Sequence, residues 1–157
     1  LGNFAGEDAL ALLRAMRQTM GDHGLALIGI DLHKDPALIE AAYNDAEGIT
    51  AAFTLNLLVR LNREVGSDFD LDGFRHRARY STERLRIETD LVSQRAQDVH
   101  LDGRTFHFEA GEAIRVEYSH KYTDDGFDAL VRQAGLQVAQ RWDADSPAYG
   151  LRLLRTL

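Results

Sequence analysis

The stretch Leu25-Ala26-Leu27-Ile28-Gly29-Ile30-Asp31-Leu32 is apolar without alternation until Asp31. A strand that does not alternate is covered on both faces, the condition of strands in parallel sheets flanked by helices. This run predicts the central strand of an α/β domain. The segments around it agree. Leu10, Leu13 and Met16, with Leu12 and Met20, recur at helical spacing, and Gly21 stops the pattern. After the run, Asp35-Pro36 supplies an N-cap and a first-turn proline. The helix this opens carries Leu38, Ile39, Ala42 and Tyr43, and breaks at Asn44-Asp45 and Gly48. A further helix then places Ile49, Phe53, Leu57, Leu58 and Leu61 on one face and ends at Gly66.

A different texture follows. Leu85, Ile87 and Leu91, then Val99 and Leu101, then Phe106 and Phe108, alternate imperfectly, with the hairpin dipeptide Asp102-Gly103 between the last two runs. Residues 84–110 therefore read as an antiparallel meander on an insertion. Beyond Lys121 a short helix is expected over 124–133, with Phe127, Leu130 and Val131 inward and Gly135 as its C′ residue. Two closing strands, 137–142 and 149–154, surround a turn at Asp145-Ser146-Pro147 and are expected to flank a central 25–31 strand.

Composition narrows the functional classes. The 157 residues suit one ordinary domain, and 27% charged with 45% hydrophobic residues is globular rather than disordered. A net charge of −7 with interspersed signs gives no footprint for nucleic acid or an anionic membrane. The absence of cysteine excludes a disulfide scaffold, a thiolate zinc site and a thiol nucleophile. No run approaches the ~18 apolar residues of a membrane helix and no secretory leader is visible, so the cytoplasm is the default location. The start, Leu1-Gly2-Asn3-Phe4, lacks methionine and reads as a strand end turning into a helix. The chain is accordingly expected to be the C-terminal part of a longer protein.

Asp68-Phe69-Asp70-Leu71-Asp72-Gly73 imitates the opening of a calcium loop, which needs a bidentate Glu at its twelfth position. Arg79 stands there and His76 at the ninth, so the segment reads as an acidic, helix-capping connector. Histidines 23, 33, 76, 100 and 107 show no spacing that would build a metal site.

The most chemically loaded segment is Glu117-Tyr118-Ser119-His120-Lys121-Tyr122. In an extended run, Glu117, Ser119 and Lys121 share one face while Tyr118 and His120 share the other. A carboxylate acceptor beside a hydroxyl suits a small polar ligand with N–H groups, such as an imidazole. A solvated edge strand with alternating polar residues is the plainer alternative.

The stretches Gly2-Asn3-Phe4, Asp31-Leu32-His33-Lys34-Asp35, Ala42-Tyr43-Asn44-Asp45-Ala46 and Phe69-Asp70-Leu71-Asp72, with Glu117-Tyr118-Ser119-His120-Lys121-Tyr122, run in order along the whole chain. Together they resemble the histidine-specific, S-adenosylmethionine-dependent methyltransferase family, whose known activity is Nα-methylation of histidine in ergothioneine biosynthesis. The resemblance implies the C-terminal part of a class I, Rossmann-like methyltransferase. Residues 1–35 and 119–157 would belong to its core, and 36–118 would be an inserted substrate-binding subdomain of helices followed by antiparallel strands.

It also implies a substrate site. Asn3 would hold the amino-acid backbone through its amide, Tyr43 would reach the substrate carboxylate, and Glu117 and Ser119 would read the imidazole nitrogens. A carboxylate with a hydroxyl satisfies either ring tautomer and slightly favours the protonated ring. Each residue has a structural alternative: Asn3 as a helix cap, Tyr43 as a core residue, Ser119 as a local backbone partner. Lys121 matches the motif but is expected to pair with an acid. The glycine-rich turn and the acid that cradle S-adenosylmethionine in the family are absent, so no cofactor-binding residue is assigned in this chain and it is expected to be inactive alone. No general base stands out. An α-amine with a pKa of about 7.7–8.0 is partly neutral at cellular pH, and in-line methyl transfer depends mainly on positioning. A non-catalytic amino-acid-binding domain, or a relative acting on another amine, are the competing readings. The sequence does not set an oligomeric state.

Overall fold

The computed structural model describes residues 1–145 and 148–157. The expected turn at Asp145-Ser146-Pro147 falls mostly outside them. The chain divides into two compact units. One comprises Leu1–Asp35, Ser81–Arg86 and Tyr118–Leu157, and the other Pro36–Tyr80 and Ile87–Glu117.

The first unit contains helix α1 (Gly6–Met20), strand β1 (Leu25–Asp31), helix α4 (Asp124–Gln133) and strands β7 (Leu136–Asp145) and β8 (Ala148–Thr156). Its sheet has the order β1-β8-β7, antiparallel at both pairings. Leu10 and Leu13 of α1, Phe127 and Val131 of α4, Ile30, Leu136 and Leu154 form one buried cluster. Each such side chain contributes roughly 1.5–3 kcal/mol of transfer free energy. Helix α4 forms as its sequence suggests. Thr123 Oγ1 caps it by accepting from the Gly126 amide at 3.1 Å, and Gly135 follows with φ +74°, a left-handed conformation natural for glycine.

Two expectations for this sheet fail. Strand β8 is central, not 25–31, and among the described strands the pairings are antiparallel rather than parallel. Nor is β1 covered on both faces. Ile30 is buried, but Leu25 and Leu27 are 61% and 60% exposed. The physical reason is that α1 and α4 pack into the same cluster, against the Ile30–Leu154 face. The opposite face presents Leu25, Leu27, Leu151, Trp142 and Tyr149, all exposed. The α/β class itself holds.

The second unit contains helices α2 (Pro36–Tyr43) and α3 (Ile49–Val65), most of strands β2 (Phe74–Ser81), β3 (Arg86–Ser93) and β6 (Ala113–His120), and all of β4 (Gln97–Leu101) and β5 (Arg104–Phe108). The three longer strands form a sheet ordered β2-β3-β6, and β4 and β5 form a separate antiparallel ribbon. The expected turn closes that ribbon, with Asp102 at φ 50° and Gly103 at φ 69°, the double positive φ of a type I′ hairpin. Strand β2 is an addition to the sequence reading. Its signal was the alternation of Arg75, Arg77 and Arg79 with Phe74, Ala78 and Tyr80.

On α3 only part of the apolar face is covered. Thr54 and Leu58 are buried and Leu55 and Leu61 pack beside them, whereas Ile49, Phe53 and Leu57 face outward, Phe53 at 76% exposure. Adjacent stripes on a helix lie only about 100° apart, and which one turns inward is decided by packing. Here the partner is the Phe69, Phe74 and Phe108 group, whose ring centroids lie 5.5–6.2 Å apart. The break before α3 is real. The Asp45 carboxylate accepts from the Ile49 and Thr50 amides at 2.8 and 2.9 Å. The acidic connector also behaves as read: Asp70 caps the short 3-10 turn Leu71–Gly73 by accepting from Asp72 N at 3.0 Å.

Candidate functional site

Strand β1 ends in an acid. Just beyond it, Leu32 and Tyr122 form a parallel bridge, with the Tyr122 amide donating to Asp31 O at 2.9 Å and the His33 amide to Tyr122 O at 2.9 Å. This pairing sets the end of the 117–122 motif alongside the C-terminal end of β1, the edge where open α/β sheets place ligands. The side chains then meet. Lys121, with a side chain only 1% exposed, puts Nζ 3.0 Å from Asp31 Oδ2. Lys34 Nζ approaches Asp31 Oδ1 at 2.7 Å and donates to Ala148 O at 3.1 Å. Lys121 thus pairs with an acid as expected. It also donates to Ser119 Oγ at 2.7 Å, which confirms that the two share a face.

The N-terminal turn closes on the same corner. Phe4 N donates to Leu1 O at 3.0 Å, and His120 N donates to Gly2 O at 2.8 Å. A Cβ on Gly2 would stand 3.5 Å from His120 O and 3.9 Å from Ser119 Oγ, so the backbone before Asn3 lies directly against Ser119. Asn3 itself is exposed at this turn. The other face of the motif is aromatic and cationic. The Arg86 guanidinium lies 3.8 Å over the Tyr118 ring, and the Tyr118 and His120 rings are 6.4 Å apart. Burial, with Arg86 and Lys121 nearby, holds His120 below its ordinary pKa. Burial raises the Tyr122 phenol to about 12, and its ring meets Phe127 edge-on at 5.5 Å.

Tyr43 and Glu117 belong to the second unit. Tyr43 is the last residue of α2, half-buried against Ile39, Ala78 and Ile87, and its carbonyl lies 2.9 Å from His76 Nε2. Its ring is therefore partly a packing element, as its structural alternative supposed. Glu117 is half-buried on β6, two residues before Ser119 on the same side of the strand. The residues the sequence reading did not single out for the site are Asp31, Lys34 and Arg86. Asp31 had a signal, as an acid ending an apolar strand; Arg86 had none.

The described strand-to-helix junctions, residues 32–35 and 121–123, contain no glycine, and Asp31 is occupied by two lysines. They do not make a cradle for S-adenosylmethionine. Among the described residues no cluster of three or more His, Asp or Glu could hold a metal ion.

Comparison with known proteins identifies the family. A family model described as histidine-specific methyltransferase, SAM-dependent, matches residues 1–156. A histidine N-alpha-methyltransferase of Mycolicibacterium smegmatis is 35% identical over 155 residues, covering 98% of this chain and 48% of that protein. Ergothioneine biosynthesis protein 1 of Neurospora crassa is 30% identical over 168 residues, 98% of this chain and 17% of that protein. The L-tryptophan methyltransferase trpM of Psilocybe serbica is 30% identical over 162 residues, 99% and 44% respectively. The chain spans about half the length, or less, of these curated relatives. With the family model matched from Leu1 almost to the last residue, the chain belongs to the histidine-specific, S-adenosylmethionine-dependent methyltransferases.

Proposed function

We propose that the protein is an S-adenosylmethionine-dependent N-methyltransferase acting on the α-amine of histidine or a closely related amino acid, and that it works in the cytoplasm. The observation that carries this reading is the family match over residues 1–156, together with the turn before Asn3, whose Gly2 carbonyl accepts from the amide of His120, next to Ser119. A side-chain amide, a hydroxyl and a carboxylate are the groups that an amino-acid backbone and an imidazole need. In this reading Asn3 and Tyr43 hold the backbone and carboxylate, Glu117 and Ser119 hold the ring, and residues 36–118 are the substrate-binding insertion. A positioned α-amine with a pKa near ~8 needs no strong base to present its lone pair.

Family membership supports an enzyme over a non-catalytic binding domain. The similarity to a tryptophan methyltransferase keeps a related amine as the second reading. The test is to assay the protein as encoded by its gene with S-adenosylmethionine and each of histidine and tryptophan, following S-adenosylhomocysteine release. Histidine-dependent release is the expected result. Release with tryptophan alone moves the second reading into first place, and release with neither sinks both.

A further inference from the structure

We propose that the β4–β5 ribbon is clamped by the positive charge of His107, whose ring bridges Asp98 on one strand and Glu109 beyond the other, so that the ribbon loosens when this ring loses its proton. The register sets Asp98 directly opposite His107, and residues so paired lie on the same side of a ribbon. The other side carries Val99 and Phe108 into the core beside Leu58, Phe74 and Leu91, while the histidine and its two acids face water. His107 Nδ1 stands 2.7 Å from Asp98 Oδ1, and Nε2 stands 3.2 Å from Glu109 Oε1. A neutral imidazole has one N–H and can donate to one of these carboxylates; the imidazolium, with two, donates to both. The geometry therefore selects the charged ring. His100, two residues after Asp98 on the same side, shows the contrast. Its Nδ1 lies 2.8 Å from Asp68 Oδ2, a contact that a neutral ring makes with its proton on that nitrogen.

The clamp reaches past the ribbon's own ladder. Glu109 follows β5, and its amide donates to Glu112 Oε2 at 2.9 Å in the turn that leads into β6. The charged groups facing the ring are Asp98 from β4 and Glu109 from its own strand end; Glu112 engages the Glu109 amide, and Asp68 engages His100. Hydrogen bonds to Asp98 first and Glu109 second raise the His107 pKa above 6.5. With the folded-state value above the unfolded one, the contribution is complete below about pH 6.5 and is lost as the pH rises through the folded value. Exposed pairs of this kind are weak and screened by salt, so the device loosens one ribbon rather than unfolding the unit.

The experiment uses the protein as encoded by its gene. Proton NMR follows the His107 ring across pH, and hydrogen exchange follows the ribbon amides as protection factors, which remove the intrinsic effect of pH on exchange. The expected His107 midpoint lies above 6.5. Asp98→Asn and Glu109→Gln should each lower it, as should added salt. At about pH 5.5 the wild-type ribbon amides should be protected a few-fold more than those of His107→Gln, and the difference should vanish well above the wild-type midpoint. A wild-type midpoint at or below 6.5 overturns the proposal, because the ring is then neutral in an intact ribbon. A midpoint that neither acid variant moves removes the bridge. If the protection difference persists unchanged at high pH, the histidine holds the ribbon by packing and not by charge, and the proposal fails. If there is no difference at either pH, the ring has no hold on the ribbon, and it fails as well.

Discussion

The Arg152 guanidinium, fully buried on β8, donates to Asp124 Oδ1 at 2.8 Å and so ties the first turn of α4 to the centre of its sheet. It also donates to Asp143 Oδ1 at 2.6 Å and to Leu151 O at 3.0 Å, so one buried cation links α4, β7 and β8. The carboxylates are about half exposed while the arginine is not exposed at all. Removing the acids leaves a buried charge with backbone carbonyls but no counter-charge among these partners, whereas removing the arginine leaves two acids able to hydrate.

The combined Asp124→Ala/Asp143→Ala change should therefore cost about 3–5 kcal/mol, and Arg152→Met clearly less. Chemical denaturation of the three proteins measures it. An Arg152→Met loss equal to that of the double acid variant contradicts this account.

Asp45 makes the stability of α3 depend on acidity. Hydrogen bonds from the Thr50 hydroxyl and from the Thr50 and Ile49 amides lower its pKa from 3.8 to about 2. Because the folded-state value lies below the unfolded one, its contribution is complete above about pH 4 and is lost as the pH falls toward about 2. Asp45→Ala should lower the unfolding midpoint at pH 7, with the difference from the parent closing between pH 4 and pH 2. A difference that stays constant through that window would exclude the capping role.

At the proposed substrate site, Glu117→Ala leaves a ring N–H without its acceptor, at about 1–3 kcal/mol, or roughly tenfold to a hundredfold in histidine affinity. Ser119→Ala should cost less, because water can replace a hydroxyl. Titration calorimetry on both variants ranks them, and S-adenosylmethionine affinity should stay nearly unchanged in each. Wild-type histidine affinity in Glu117→Ala would remove the imidazole site.

The exposed leucines of the β1-β8-β7 sheet make a prediction about the 157-residue chain on its own. Leu25 and Leu27 lie on an edge strand and expose their side chains, a combination that favours self-association. Leu27→Lys should change folding stability by no more than about 0.5 kcal/mol while lowering the sedimentation-detected associated fraction. An unchanged associated fraction would mean that this face does not mediate it.

Where local chemistry decides a structure, it was legible in the chain. Asp102-Gly103 requires positive φ at two successive residues and became the β4–β5 turn; Thr123 and Gly135 delimit α4; the period-2 spacing of Ser119 and Lys121 placed both on one side. The order of short motifs from Gly2 to Tyr122 carried the family. What only the tertiary structure decided is which of two competing apolar faces is covered. Leu25 and Leu27 have the same composition whether a helix lies over them or not, and α3 offers two adjacent stripes, of which Thr54 and Leu58 turned inward. Long-range pairing is equally silent in sequence. Nothing local tells β8 to insert between β1 and β7, or brings Asp31 within 3.0 Å of a lysine 90 positions away, because those contacts arise from burial shared among distant elements rather than from the preferences of any one.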